Sequence, residues 1–370
     1  MAFYILGLSR RIAADGSCRR KIFLNKANTK KILNALFLIL VFVLTLWSVF
    51  HGEDWSQILT YLASSNPIYI IPSILCVIFF ILSESVVIYY LMRKLKTQVC
   101  FPHCCLYSFI GFFYSCITPS ASGGQPMQII AMRRDRIPVA VSTVVLGIVT
   151  ITYKLVLVLL GLVVIILRPA QIMLYLDPVM PFIYLGVILN VGCILLLLML
   201  VFYPDTIKHV TGWLFSIANR IRPFKHPEKQ NARLQHMVDQ YRGTADFFRS
   251  NRHVIIHVFL ITLGQRFILF FVTWLTYRAF SLSGQSASVI ITLQGMISVA
   301  ADMLPLPGGM GVSENLFLTI FSPIFGEELV LSGMVISRGI SYYTQLLISA
   351  AMTFVSTFII REKNNVAQNT

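Results

Sequence analysis

The chain has 370 residues, of which 56% are hydrophobic and only 12% charged, about half the charged share of a soluble globular domain. With a mean hydropathy of +0.76, this composition indicates a polytopic membrane protein and excludes a soluble enzyme, a nucleic-acid-binding domain and a disordered scaffold. The formal charge of +15 therefore matters for its placement more than for its size.

Residues 1–31 carry eight Lys/Arg and one Asp. The apolar run Ile32–Phe50 follows, long enough to span and without a cleavage site, so it reads as an uncleaved first helix. His51-Gly-Glu-Asp-Trp55 is acidic and lacks Lys or Arg. The second span, about Pro67–Met92, stops at Arg93-Lys94-Leu-Lys96. Cys104–Thr118 is apolar but too short to cross. It runs into Pro119-Ser-Ala-Ser-Gly-Gly-Gln-Pro126 and then Met132-Arg-Arg-Asp-Arg136. Basic residues at both ends put both ends on one side, which predicts a re-entrant hairpin.

Ile137–Leu167 and Pro181–Tyr203 are the next spans, joined by a short outer loop containing Asp177. Residues 204–253 form one long polar stretch with nine Lys/Arg, four Asp/Glu and four His. A span from His253 ends near Tyr277, and another reaches about Leu304. That one breaks at Pro305-Leu-Pro-Gly-Gly-Met-Gly311. Val312–Phe325 is short, Gly326-Glu-Glu328 turns, and a long segment Leu329–Ile360 closes the series. The expected fold is an all-α polytopic membrane protein of about eight crossings with a re-entrant hairpin. Its two Gly/Pro-broken segments occupy corresponding places, as in a repeat. The expected regions are a basic cytoplasmic arm 1–31, a first membrane half 32–203, a basic cytoplasmic loop 204–253, a second membrane half 254–360 and a polar tail 361–370.

If the spans alternate, 23 of the 30 Lys/Arg fall on one side. The positive-inside rule makes that side cytoplasmic, with the amino terminus on it, and both termini are expected there. The basic segments should rest on anionic lipid headgroups, and no nucleic-acid partner is expected. The seven cysteines, mostly in apolar runs, read as small hydrophobes. The cluster Cys100-Phe-Pro-His-Cys-Cys105 lacks the paired spacing of a zinc site, so no metal and no cofactor are expected.

Six charges fall inside apolar segments: Glu84, Lys154, Arg266, Asp302, Glu314 and Arg338. Such charges mark function or pair with one another. In one reading, carboxylates and cations pair between helices and lock the bundle. In the other, Lys154 and Arg266 line a polar cavity suited to a phosphate, Arg as a planar clamp and Lys as a point charge. The breaks carrying Ser120, Gly123, Gly124 and Gln125, and Gly308 and Gly309, read as a binding feature because free N–H groups at broken helices can hold an anion. The competing reading is kinks and close helix packing. No catalytic constellation and no nucleotide-binding loop stand beside them.

Two stretches carry a resemblance. Pro119-Ser-Ala-Ser-Gly-Gly-Gln-Pro-Met-Gln128 with Met132-Arg-Arg-Asp-Arg-Ile-Pro138 is one. Leu304-Pro-Leu-Pro-Gly-Gly-Met-Gly-Val-Ser-Glu314 with Phe321-Ser-Pro-Ile-Phe-Gly326 is the other. They resemble the membrane region of bacterial lysylphosphatidylglycerol synthases, the multiple peptide resistance factors or flippase-like domain proteins, across about 32–360. The resemblance implies a multi-pass protein of the bacterial inner membrane. It further implies translocation of an aminoacylated or other phosphate-bearing phospholipid, such as lysylphosphatidylglycerol, with effects on envelope charge and cationic peptide resistance. Full-length members follow this region with a soluble synthase domain. This chain ends about ten residues after its last span, so the lysyltransferase reaction is not expected of it. The alternative function is a non-catalytic membrane partner of a separate lipid synthase.

Overall fold

The computed structural model describes residue 60 and residues 65–202, 227–304, 306, 309 and 311–359. The expected first span Ile32–Phe50, the arm 1–31, the tail 361–370 and Gly308 lie outside these residues. Among the described residues the protein is helical throughout, with no strand. Four helical stretches are long and apolar enough to cross a membrane: Pro67–Lys94, Val139–Leu167, Ala170–Val201 and Arg252–Ala279.

Local chemistry sets the ends of these helices. α1 (Pro67–Lys94) starts where the Asn66 side chain accepts the Ile68 N–H at 3.0 Å, with proline at the first helical position. There its missing donor is harmless and its fixed φ is preformed. Arg93 and Lys94 in the last turn complement the helix dipole. Its 28 residues reach about 42 Å, more than the hydrocarbon thickness of about 30 Å.

α2 (Phe101–Ile117) and α3 (Gly124–Arg134) form the expected hairpin. Its base is tied: His103 Nδ1 lies 2.6 Å from Asp135 Oδ2, and the Tyr107 hydroxyl donates to the same oxygen. Its tip holds Ser120 and Ala121 at φ 49° and 54°, the left-handed region that non-glycine residues rarely occupy. The Thr118 hydroxyl closes the tip by accepting the Gly123 N–H at 2.9 Å.

α4 (Val139–Leu167) ends at Arg168, φ 42°. The chain reverses there and not at Asp177. Asp177, expected in an outer loop, sits in a single 3-10 turn (Asp177–Val179) between α5 (Ala170–Leu176) and α6 (Met180–Phe202). The polar stretch 204–253 contains α7 (Pro227–Ser250), a helix that the sequence reading left as loop. α7 buries Tyr241, Ala245 and Phe248, and the Tyr241 hydroxyl donates to Leu200 O at 2.7 Å. Burial pushes that phenol up to about 12.

α8 (Arg252–Ala279) is the fourth long helix. α9 (Ala287–Ala301) and α10 (Val312–Phe325) are short and flank the second break. The long final segment is not one continuous α-helix. α11 (Val330–Arg338) passes through a π-turn (Gly339–Thr344) into α12 (Gln345–Ile359). π-turns of this kind recur at functional positions.

α1 packs along α8. α2 lies against α1, α3 and α12, while α9 lies against α6, α8 and α10. Each broken hairpin is thus held by its own apolar core, one around α1–α4 and one around α6, α8, α9 and α10. The outer surfaces are apolar: Leu174 is 74% exposed, Ile166 73% and Ile68 71%. Such a belt would aggregate in water, but it suits contact with lipid.

A polar cavity between the two breaks

The two broken segments meet. The Ser120 hydroxyl of the first donates to the Leu304 carbonyl of the second at 3.1 Å. Beside this contact is a cavity of about 330 Å³, within the size range of small-molecule sites. Its wall includes Glu84, Ser120, Gln125, Lys154, Arg266, Asp302, Gly309 and Arg338. The sequence had marked all eight. Glu84, Lys154 and Arg266 sit near the midpoints of α1, α4 and α8. The cavity is therefore at the depth where uncompensated charge is least tolerated.

The charges fall into two classes. Lys154 donates to Asp302, which also accepts from the Tyr153 hydroxyl; Lys154 Nζ is 2.9 Å from Met303 Sδ. Arg338 Nε and Nη2 both reach Glu314 Oε1, at 2.9 and 2.7 Å. Glu314 is therefore brought in through its partner, not as a wall residue. These two pairs follow the pairing reading.

Arg266 and Glu84 make no ion pair among the described residues. The Arg266 guanidinium stacks 3.5 Å from the Tyr153 ring centroid and 4.9 Å from that of Phe80. Its Nε is buried with no hydrogen-bond partner. Stacking uses the faces of the guanidinium and leaves its in-plane donors unspent. Glu84 accepts one bond, from Gln128 Nε2 at 2.7 Å.

The glycine breaks contribute differently from expectation. The Gly123 N–H goes to the Thr118 hydroxyl, the Gly124 N–H to Ala121 O at 3.4 Å and the Gly309 N–H to Leu306 O at 3.1 Å. These three amides are used within their turns, so side chains supply the cavity's positive charge. Gly123 and Gly124 are not wall residues. A Cβ on Gly124 would stand 2.7 Å from the Gly111 carbonyl oxygen and 2.1 Å from Ser115 Oγ, so its role is close approach of α3 to α2. Gly309 lines the cavity at φ +66°, a conformation that disfavours a side chain. Gln125 reaches Thr150 of α4 through its amide.

Of the wall residues not singled out from sequence, three tie the wall together. Tyr153 joins Asp302 to Arg266, Gln128 holds Glu84, and Tyr342 of the π-turn donates to Cys116 O at 2.8 Å. Tyr153 adjoins Lys154 mid-span, and that adjacency was the available signal. Gln128 stood inside the first recognised motif.

The family model described as lysylphosphatidylglycerol synthase TM region matches residues 33–349. The chain belongs to that family, and it is a membrane protein. Among curated proteins, none matches it.

Proposed function

We propose that this member of the lysylphosphatidylglycerol synthase membrane-region family translocates a phospholipid with a phosphate-bearing headgroup, without ATP, across the bacterial inner membrane. The amino terminus and the basic stretch 204–253 lie on the cytoplasmic side in this reading. The observation that carries it is Arg266. A guanidinium at mid-membrane, stacked on Tyr153 with a buried donor left unpartnered, is costly unless a ligand completes it. Arginine matches phosphate oxygens in geometry as well as charge. Moving a headgroup requires a polar cavity while acyl chains remain in lipid, and about 330 Å³ accommodates a headgroup rather than a whole lipid. An aminoacylated phospholipid such as lysylphosphatidylglycerol is within this class, and its export would lower surface negative charge and blunt cationic peptides.

The experiment is reconstitution into vesicles carrying a headgroup-labelled phospholipid, followed by quenching of the outer leaflet. Wild-type protein is expected to bring the inner pool to the quencher, and Arg266→Gln to leave it protected. Protection equal to that of protein-free vesicles in the wild-type sample refutes the proposal.

A further inference from the structure

Charge balance inside the cavity carries an inference about how such a ligand is accommodated; it rests on the anion-binding reading above. Lys154–Asp302 and Arg338–Glu314 are each neutral as pairs. Arg266 and Glu84 remain. Arginine does not give up its proton in proteins, so the charges of the described residues here sum to zero when Glu84 is ionised. An arriving phosphodiester adds one negative charge in a region that screens charge poorly.

Glu84 is the group placed to absorb that change. The charged and titratable groups that line the cavity with it are Cys116 of α2, Tyr153 and Lys154 of α4, Arg266 of α8, Asp302 after α9, and Arg338 and Tyr342 of the final segment. Asp302 accepts from two donors, one of them cationic. Glu314 is held by two guanidinium bonds. Glu84 has one neutral amide donor, Gln128, which holds a carboxylate less firmly than a cation does and can still bond the carbonyl oxygen of the protonated acid. It is also the carboxylate that loses most when an anion occupies Arg266, because Arg266 is its compensating charge.

We propose that the cavity takes up one proton, on Glu84, with each anionic phosphodiester headgroup that binds at Arg266. The proton comes from solvent, the carboxylate becomes a neutral acid, and the net charge of the cavity is the same before and after binding. A proton gradient then biases the direction in which the headgroup moves.

The full chain in detergent is titrated calorimetrically with short-chain phosphatidylglycerol in two buffers of different ionisation enthalpy, which yields protons taken up per lipid bound. Glycerophosphoglycerol, the same phosphodiester without acyl chains, is the second probe. Wild-type protein is expected to take up close to one proton per lipid. Its affinity should fall as pH rises, approaching about tenfold per pH unit. Glu84→Gln keeps the oxygen that Gln128 addresses, so it should bind the lipid with no uptake and a flat pH profile. Uptake with the lipid alone makes the bilayer the ligand's source; uptake with both probes extends the same coupling to soluble phosphodiesters. Wild-type binding without proton uptake overturns the coupling and leaves the anion site standing. Uptake that persists in Glu84→Gln overturns the assignment to Glu84. No binding of either probe by wild-type protein at any pH overturns both the coupling and the site.

Discussion

Removing Lys154 should unfold the protein before it informs on transport. Its ammonium is 8% exposed and its partner Asp302 12%, so neither charge has water to fall back on. Lys154→Met keeps the length and apolar stem, which makes the cavity term small. Asp302 is left with one neutral donor, Tyr153. Breaking a buried pair from one side costs about 3–5 kcal/mol because it strands the other charge. Asp302→Asn should cost a similar amount, since Lys154 then keeps only the weak Met303 sulfur contact. The double variant strands no charge and should recover most of the loss, giving a large coupling energy. The assay is SDS-induced unfolding of purified protein, with membrane yield measured in parallel. Both single variants within about 1 kcal/mol of wild type, the range of solvent-exposed pairs, would refute the reasoning.

Arg266→Gln should behave oppositely: no carboxylate contacts Arg266 directly, and Glu84, whose charge it balances, becomes neutral by taking up a proton, so yield should stay near wild type while headgroup translocation is lost in the vesicle assay. Gly124→Val should abolish folded protein as read by membrane yield, since its Cβ meets the Gly111 backbone at 2.7 Å, whereas Gly309→Ala should fold with a loss of about 1–3 kcal/mol in SDS unfolding from its positive φ. Tyr107→Phe removes one of the two bonds on Asp135 at the hairpin base and should raise amide hydrogen exchange in α2 and α3 while leaving α8 and α9 unchanged. The Tyr241 phenol is raised from 10.0 to about 12, so the folded state favours its neutral form; the docking of α7 is complete below the ordinary phenol range and weakens as pH climbs from about 10 to about 12, which site-directed fluorescence on α7 would follow.

How much of this was legible in the sequence depended on what each residue leaves in the apolar pattern. The bounds of α1 were readable because Pro67 opens it and Arg93-Lys94 closes it. The hairpin was readable because α2 is too short to cross and basic residues stand at both feet. All six charges inside apolar segments proved to belong to one cavity or to a partner of its wall, since hydrocarbon leaves few other places for them. Their pairing was not readable: Lys154 and Asp302 lie 148 positions apart, and several carboxylates were equally available to it. Nor could the sequence pattern show the π-turn at Gly339–Thr344, where backbone bonding changes without a Pro. α7 was missed for a different reason. Its buried Tyr241, Ala245 and Phe248 follow helical spacing, but nine Lys/Arg across 204–253 drew the reading toward charge. The glycine breaks were found for their correct place and given the wrong chemistry, because sequence shows a glycine but not whether its amide is already bonded.

The central claim is that Arg266 takes a phospholipid headgroup through the membrane. Leaflet-resolved lipid mass spectrometry on cells expressing wild-type protein, Arg266→Gln or none tests it most directly. The account predicts that at least one phosphate-bearing lipid class moves between leaflets with wild-type protein and returns to the protein-free distribution with Arg266→Gln at equal membrane yield. Identical leaflet compositions in all three, with both proteins present in the membrane, would contradict it.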